Sequence, residues 1–441
     1  MPAAPSSPFR DITPPSGRSL LRDRSIVLFL VGATASSVGM FLQAAALGKH
    51  LYDITDSELA LGVLGLVEFL PALILLPVTG STADRFDRRH VAAVALAGEV
   101  LTSLAFLVYA RTGSTSAAPI FVIAAVFGTC RAFASPSVRS IPPLIAPDRG
   151  LPRLIAFYTA TWQFGLIVGP AASGFLYDAG VWVPYVAAAA GFAIAAVVMP
   201  TLTPKRSQAR TSSDERPTLH HALEGLRFIR RQPVLLGAIA LDLFAVLFAG
   251  AVALLPAIAE DRLGVGNVGY GWLRAAPGIG GVLVTGLLAV RPVARHIGHR
   301  LYAAVAVFAV MTIVLGITTN YVVAFVALLV LSGADAISVF IRATIVPLAT
   351  PDRMRGRVAA VENVFIGASN ELGAFESGVA ATLLGVGPAV TLGGVLTLGV
   401  VGIWCVAFPD LRDVDRFSDI EAPENLPAGA VPAAPVEGVL D

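Results

Sequence analysis

Charged residues are scarce in this sequence. Asp, Glu, Lys and Arg make up 14% of its 441 residues, against about 25% in ordinary soluble domains. Hydrophobic residues make up 56%, and the mean hydropathy is +0.76. A soluble protein of this composition could not cover its apolar surface and would aggregate. The net charge is only +1, so the total charge gives no indication of a nucleic-acid partner and we expect none.

Cysteine and the common catalytic motifs are also lacking. The two cysteines, Cys130 and Cys405, lie far apart inside apolar segments and cannot build a disulfide framework or a metal cluster. The sequence has no HExxH zinc motif, no Walker phosphate loop and no GxSxG nucleophile motif. We therefore expect no enzyme, no metal site, no cofactor and no direct use of ATP.

What the sequence does have is a series of apolar segments, each long enough to cross a bilayer. They predict an all-α membrane protein with twelve transmembrane helices. The predicted helices lie near 26–48, 59–79, 91–110, 119–138, 154–177, 181–200, 234–258, 268–290, 301–319, 321–346, 358–383 and 388–408.

The longest polar stretch between helices runs from Thr201 to Gln232 and divides the chain into two halves. Its later part, Leu219 to Ile229, is predicted to be a short amphipathic helix on the membrane surface. The predicted domains are a cytoplasmic N-terminal tail (1–25), an N-terminal six-helix bundle (26–200), a cytoplasmic linker (201–232), a C-terminal six-helix bundle (233–408) and a disordered cytoplasmic tail (409–441).

Lys and Arg are concentrated in alternate loops, such as those containing Arg85, Arg153, Arg300 and Arg353. Positive residues mark the cytoplasmic side of a membrane protein. With an even number of helices, this bias predicts a multi-pass protein of the cell (inner) membrane with both termini in the cytoplasm.

The two halves resemble each other in sequence. PLIAPDR (143–149) matches PLATPDR (347–353) at an offset of 204 residues, and Gly169 falls on Gly373 at the same offset. Matching loops lie on the same predicted side, which indicates a parallel repeat of six helices. Two similar bundles of this kind can rock against each other around a central site.

The loop after the second predicted helix reads GSTADRFDRRHV (80–91) and resembles the signature loop of the major facilitator superfamily. Asp87 stands where that family usually has a second Gly, which puts the local turn in question. The resemblance and the charges suggest a cytoplasmic gate, in which Asp84 pairs with an Arg or a helix N-terminus; the alternative is a topology anchor only. The residues assigned to this gate are Gly80, Asp84, Arg85, Arg88 and Arg89.

The fifth predicted helix carries GLIVGPAASG (165–174), which resembles the exporter-associated motif of the same superfamily. Its matching residues are Gly165, Gly169, Pro170 and Gly174. Small residues at this spacing allow close helix packing, and packing without any bearing on transport direction is the alternative. The segment 357–381 resembles the branch of the superfamily that contains the enterobactin exporter and macrolide efflux proteins.

Charges inside the predicted helices need a reason, because each costs roughly 2.5–3.5 kcal/mol at mid-bilayer. The family resemblance implies that helices one, four, seven and ten line a central cavity, which Arg131, Asp242 and Asp335 could reach. Asp242 and Glu68 are the first choices as proton carriers, Asp335 is the third, and static ion pairs are the alternative. Arg342 lies near a cytoplasmic helix end and is predicted to extend to the surface. The predicted substrate and proton pathway consists of Glu68, Arg131, Asp242, Asp335, Glu371 and Glu376.

These features favour a secondary active transporter, with proton-coupled efflux of an amphipathic small molecule by alternating access. The substrate would be a drug, a siderophore or a secondary metabolite. An importer or lysophospholipid flippase of the same fold, or a non-transporting membrane sensor, are the alternatives. The expected partners are the substrate, protons and the lipid bilayer, and a monomer suffices for this architecture.

Overall fold

The computed structural model describes residues 17–205 and 219–420, and this part of the chain is helical without any β-strand. Its twelve long helices are α1 (Arg24–Thr55), α2 (Glu58–Arg85), α3 (Arg88–Thr112), α4 (Ala117–Arg139), α5 (Leu151–Ala179), α6 (Val183–Val198), α7 (Pro233–Phe248), α8 (Asn267–Val290), α9 (Ile297–Ile317), α10 (Tyr321–Leu348), α11 (Asp352–Leu384) and α12 (Val386–Ala407). They confirm the predicted all-α fold. A shorter helix, Leu219–Arg231, precedes α7 and is called the linker helix below.

Polar residues in the short loops set several helix starts. The Asp23 carboxylate accepts a hydrogen bond from the Ser25 amide at 2.9 Å and caps α1. Ser57 caps α2 through the Ala60 amide, and Asn320 caps α10. Each cap gives a partner to an amide that would otherwise have none in the first helical turn.

Eleven segments among the described residues are long and apolar enough to cross a membrane. The twelfth predicted span lies in α11, which is 33 residues long but too polar to belong to this set. Its length exceeds what a bilayer core requires. We therefore expect the polar side chains of α11 to face protein or water instead of lipid.

The described chain forms two compact units. Unit 1 contains the residues up to 205 together with Leu255–Gly278, and unit 2 contains 219–254 and the residues from Ile279 to 420. Inside unit 1, Gly169 of α5 packs against the backbone of Leu42 in α1. Inside unit 2, the repeat-related Gly373 of α11 packs against Leu247 in α7. The sequence repeat therefore corresponds to the same helix pairing within each unit.

The seventh predicted helix, 234–258, is not continuous. Regular α-helix ends at Phe248 and is followed by a 3₁₀ turn (Ala251–Leu254) and a π turn (Ile258–Arg262). The break occurs where Gly250 meets α11, and a Cβ atom on Gly250 would lie 2.4 Å from the Gly373 oxygen. The close approach of these two glycines is a tertiary contact. The periodicity of the sequence could therefore not predict the break in the helix.

Polar contacts attach Leu255–Gly278 to the rest of unit 1. Lys49 of α1 forms an ion pair with Glu260 at 2.7 Å, and the Tyr52 hydroxyl donates to Asp261 at 2.5 Å. This segment comes from the second sequence half but packs with helices of the first.

The linker helix packs on protein, although its sequence predicts a helix on the membrane surface. Ile229 is fully buried in an apolar cluster with Val358 and Val361 of α11. Glu224 forms an ion pair with Arg357 of the same helix. The apolar face of the linker helix is thus covered within unit 2, because the first turns of α11 offer a matching apolar surface.

The predicted disordered tail, 409–441, is folded over its first part. Residues Pro409–Arg412 form a helical turn, and Leu411 is fully buried. The amide of Gly298 donates to the Val414 carbonyl, which fixes this segment to the start of α9. An apolar side chain and backbone hydrogen bonds therefore hold 409–420 on unit 2, and 421–441 lies outside the described residues.

A test of the helix packing is Gly128→Ala in α4. The added Cβ would lie 2.1 Å from the Glu68 carbonyl oxygen of α2, so the two helices must separate. We expect a net loss of about 1–3 kcal/mol, typical of overpacking, measured as a lower midpoint of thermal unfolding in detergent.

The matched control is Gly402→Ala in α12, where a Cβ would meet no atom within 4 Å. Ala favours helix over Gly by about 1 kcal/mol, so this control should be unchanged or slightly stabilised. Equal effects of the two substitutions would contradict the close approach of α2 and α4.

Candidate functional site

An ion pair is buried inside unit 2. Nη2 of Arg342 in α10 lies 2.6 Å from Oδ1 of Asp242 in α7. Arg342 is 5% exposed and Asp242 is 7% exposed, and Nε of Arg342 also contacts the Ser338 hydroxyl at 3.4 Å. The expectation that Arg342 extends to the surface is wrong, because a carboxylate on the neighbouring helix holds it in the interior.

The pair forms part of the wall of a cavity of about 520 Å³. Asp335 of α10 lines the same cavity, two turns before Arg342. The structure thus brings together two of the acids that the sequence predicts for the pathway, Asp242 and Asp335.

Helix α11 supplies a polar wall that the sequence analysis missed. Glu362, Asn363, Ser369 and Asn370 all line the cavity. The separation of Glu362 from Ser369 is seven residues, which is two helical turns and places both on one face. This spacing is the signal by which a polar face on α11 could have been found from the sequence.

The two acids predicted on α11 take other positions. Glu371 and Glu376 are partly buried but do not line this cavity. Gly373, two residues after Glu371, faces the α7 backbone. Because residues two apart point to different sides of a helix, Glu371 is directed away from that contact.

A second group of charges lies inside unit 1. The positive charge of Arg131 in α4 acts on Glu68 in α2 and on Glu99 in α3. Arg274, at the start of α8, also acts on Glu68. Glu99 is 1% exposed, whereas Glu68 is only partly buried. The structure therefore places Glu68 and Arg131, two residues of the predicted pathway, within electrostatic reach of each other, and it adds Glu99 to the same group.

The loop between α2 and α3 is held by Asp87. Its backbone is extended, with φ −63°, so the glycine usual at this motif position is not required. The Asp87 carboxylate accepts from the Arg89 amide at 2.9 Å and pairs with the Arg89 guanidinium at 2.6 Å. Arg89 also donates to the Leu202 carbonyl after α6. This arrangement anchors the loop inside unit 1.

The electrostatics of this loop follow from the same contact. The hydrogen bonds from Arg89 hold the pKa of Asp87 below its usual range. Arg85 is exposed at the end of α2, and Arg88 begins α3. Gly80 and Asp84 lie in α2, but their side-chain surroundings are outside the described part of the structure.

The motif glycines of α5 pack against two other segments of unit 1. A Cβ on Gly165 would lie 2.7 Å from Ser37 of α1, and one on Gly169 would lie 2.8 Å from the Leu42 nitrogen. A Cβ on Gly174 would lie 2.5 Å from the Asn267 oxygen at the start of α8. Next to them, the Pro170 carbonyl lies close to Gly271. The motif therefore forms a smooth face for close helix contact.

The described side chains contain no group of His, Cys, Asp and Glu residues suited to a metal ion. The two units instead contain charged side chains of opposite sign near each other inside apolar helices. A family model for the Major Facilitator Superfamily matches residues 25–374. The chain belongs to the Major Facilitator Superfamily. Members of this superfamily are membrane transporters of small molecules and not enzymes, and the sequence-based family assignment is confirmed.

Two similar proteins are named for efflux. The enterobactin exporter EntS of Salmonella typhi is 28% identical over 389 residues, which is 83% of this chain and 90% of that protein. Macrolide efflux protein A of Streptococcus pyogenes is 26% identical over 156 residues, 34% of this chain and 37% of that protein. An uncharacterised transporter of the superfamily, YfiS of Bacillus subtilis, is 25% identical over 304 residues, 67% of this chain and 69% of its own.

Solved structures show the same fold. A bacterial homologue of the iron transporter ferroportin has a TM-score of 0.66 at 17% identity, covering 90% of this chain and all of that chain. A bacterial homologue of the human lysosomal transporter Spinster has a TM-score of 0.66 at 13% identity, covering 88% and 95%. At these identities the likeness concerns the superfamily fold alone.

The buried pair of this superfamily member can be tested by a double-mutant cycle. Asp242→Asn leaves Arg342 buried without its counter-charge, so we expect a loss of about 3–5 kcal/mol. Combining it with Arg342→Gln removes both charges and should restore most of that stability. The midpoints of thermal unfolding in detergent give the coupling free energy between the two charges. Losses of stability that simply add in the double variant would contradict the ion pair.

The motif loop offers a test by pH. Asp87→Asn keeps an amide oxygen that can cap α3 but removes the charge facing Arg89. Because the folded-state pKa of Asp87 is lowered, its contribution is present at pH 7 and is lost as the pH falls through that pKa. We expect the variant to be less stable at pH 7 by up to about 1 kcal/mol, with the difference lost once the pH has fallen below the lowered pKa of Asp87. A difference that persists in acid would contradict the charge interaction.

Proposed function

We propose that this transporter exports an amphipathic small molecule in exchange for protons, by alternating access. The observation that carries the proposal is the cavity in unit 2. Its wall combines the buried Asp242–Arg342 pair with Asp335, whose carboxylate has no hydrogen bond or ion pair to the side chains described. Carboxylates kept in an apolar surrounding without a structural task are typical of proton carriers.

Asp335 is the first candidate for the proton carrier. A carboxyl group binds its proton more tightly when it is buried and less tightly beside a cation or in water. Alternating access changes these surroundings during each cycle, so protons are taken up on one side and released on the other. Asp242 takes part through Arg342, since protonation or substrate binding would weaken their ion pair.

Glu68 is the candidate carrier in unit 1. Arg131 and Arg274 act on it, so the protonation of Glu68 depends on where these cations lie at each stage of the cycle. We assign Arg131 the role of a movable counter-charge, shared between Glu68 and Glu99. The remaining predicted pathway residues, Glu371 and Glu376, are proposed to assist from α11.

The size of the cavity supports a small-molecule substrate. A volume of about 520 Å³ lies within the roughly 300–1,000 Å³ of typical ligand sites. The names of the two efflux relatives and the glycine face of α5 support export over import. Drugs, siderophores and secondary metabolites are the substrate classes proposed.

The orientation in the membrane is proposed from the charge bias. The cavity wall extends to Thr350 and Arg355, next to the Arg-rich loop that the bias places in the cytoplasm. The cavity would then receive its substrate from the cytoplasm. We propose a monomer in the cell membrane with both termini in the cytoplasm, gated there by Gly80, Asp84, Arg85, Arg88 and Arg89.

The test is transport by purified protein in acid-interior proteoliposomes, supplied with labelled erythromycin, enterobactin and ethidium. A proton-driven exporter should accumulate at least one of these in the lumen as protons leave. Accumulation should saturate with concentration and stop when a protonophore is added. Asp335→Asn should reduce the proton-driven accumulation at least tenfold. It should not change substrate exchange that is measured without a proton gradient.

Asp410→Asn is the control, because Asp410 is exposed in the turn after α12. It should transport like the unaltered protein. Accumulation only with an acid exterior would indicate import, and the absence of saturable flux for every probe would overturn the export proposal. Full proton-driven activity in Asp335→Asn would exclude Asp335 as the carrier.

A further inference from the structure

The linker helix has one face covered by protein and one face exposed. On the covered face, Ile229 is fully buried against α11, and a Cβ atom on Gly225 would lie 2.7 Å from a backbone oxygen of α11. Residues two apart point to different sides of a helix, so Arg227 and Arg231 are directed away from α11, and both are exposed. Protein therefore covers the apolar side of this helix and leaves its arginine side open.

The exposed arginines have no counter-charge. Within residues 17–205 and 219–420, no hydrogen bond and no ion pair within 4 Å involves the guanidinium group of Arg227, Arg230 or Arg231. Glu224, the one acid in the sequence of the linker helix, forms its ion pair with Arg357 of α11. Three positive charges therefore share one helix face that carries no acid.

These arginines lie next to the start of a membrane span. The span Pro233–Arg262 begins two residues after Arg231. The backbone of Gln232 between them is extended, with φ −112° and ψ 101°, so the linker helix does not continue along the axis of α7. Two residues of chain span at most about 7 Å, and the headgroup layer on each side of the hydrocarbon core is about 5–8 Å thick. We therefore expect Arg231 and its neighbour Arg230 to lie at the depth of the lipid headgroups.

An apolar side chain lies beside the arginines. Leu223 precedes Arg227 by four residues, which places both on one face of the helix, and Leu223 is 47% exposed. Apolar and basic side chains that are exposed together are typical of helices at the boundary between lipid headgroups and acyl chains. Anionic lipids attract basic segments that lie next to a membrane span. The composition and the position of this face therefore agree on the same kind of ligand.

We propose that the arginine face of the linker helix binds the phosphate headgroups of anionic phospholipids. This face is formed by Leu223, Arg227, Arg230 and Arg231. Arginine binds phosphate through paired, charge-assisted hydrogen bonds, and each basic residue at a membrane surface strengthens binding about fivefold. The sequence predicts membrane contact through the apolar face of this helix, whereas the proposed contact uses the opposite face. The proposal does not depend on the proposed export, because lipid binding requires no flux.

The test compares two lipids with the same acyl chains, dioleoylphosphatidylglycerol, which is anionic, and dioleoylphosphatidylcholine, which is not. The full chain is immobilised in mixed detergent micelles, and the retention of each radiolabelled lipid is measured. We expect the anionic lipid to bind at least tenfold more tightly, and its binding to weaken as salt is added. Glycerol phosphate, which has the charge without the acyl chains, should not displace it.

A triple variant locates the site. Arg227→Gln with Arg230→Gln and Arg231→Gln should weaken binding of phosphatidylglycerol at least tenfold and leave phosphatidylcholine unchanged. The control variant removes the same charge from three exposed arginines of other segments, as Arg22→Gln, Arg291→Gln and Arg300→Gln. It should retain the preference for the anionic lipid. The midpoint of thermal unfolding in detergent shows whether each variant is folded.

Three results would overturn the proposal. Equal retention of the two lipids by the unaltered protein would show that the headgroup charge is not recognised. Equal losses of binding in the two folded triple variants would show a response to total charge and not to this face. Displacement of phosphatidylglycerol by glycerol phosphate would assign the face to a soluble anion.

The chain after Ile420 is the competing occupant of this face. Ile420 packs on the apolar cluster that contains Ile229 of the linker helix, and Glu421 and Glu424 follow it in the sequence. A preference for phosphatidylglycerol that is present only in the variant Glu421→Gln with Glu424→Gln would assign the arginine face to this acidic segment. That result would also overturn the lipid site.

Discussion

A charge inside a membrane protein must find an opposite charge or water, because lipid offers neither. In unit 2 this requirement is met by Arg342, whose guanidinium lies 2.6 Å from Asp242. Without that cation, three carboxylates would share a cavity wall whose other described cation, Arg355, is exposed and paired with Asp352. The pair therefore joins α7 to α10, and it leaves the Asp335 and Glu362 carboxylates on the cavity wall without an ion pair among the described side chains.

Unit 1 meets the same requirement by a different arrangement. Arg131 acts on both Glu68 and Glu99, and Arg274 adds a second cation near Glu68. Under the sequence repeat, Arg131 corresponds to Asp335, so the two units carry opposite charges at equivalent positions of α4 and α10. Each unit thus keeps cations within electrostatic reach of carboxylates among its helices, although equivalent helices of the two units carry charges of opposite sign.

Helix α11 combines three environments along its length. Its first turns are covered by the linker helix, its middle lines the cavity with Glu362, and Gly373 meets the break in α7. A helix surrounded by protein and a polar cavity does not need the apolar composition of a lipid-facing span. This explains why α11 is the one long helix among those described that composition alone does not identify as a membrane span.

The sequence by itself determined the membrane class, the helix positions, the repeat and the family, because apolar length, periodicity and motif spacing are local properties. It also identified Asp242, Asp335, Glu68 and Arg131 as charges that need partners. Only the tertiary structure decided the pairing: Arg342 is buried with Asp242, Glu362 lines the cavity, and α7 breaks at Gly250. These outcomes depend on which helix faces meet. A contact between residues about 100 positions apart has no local signal in the sequence.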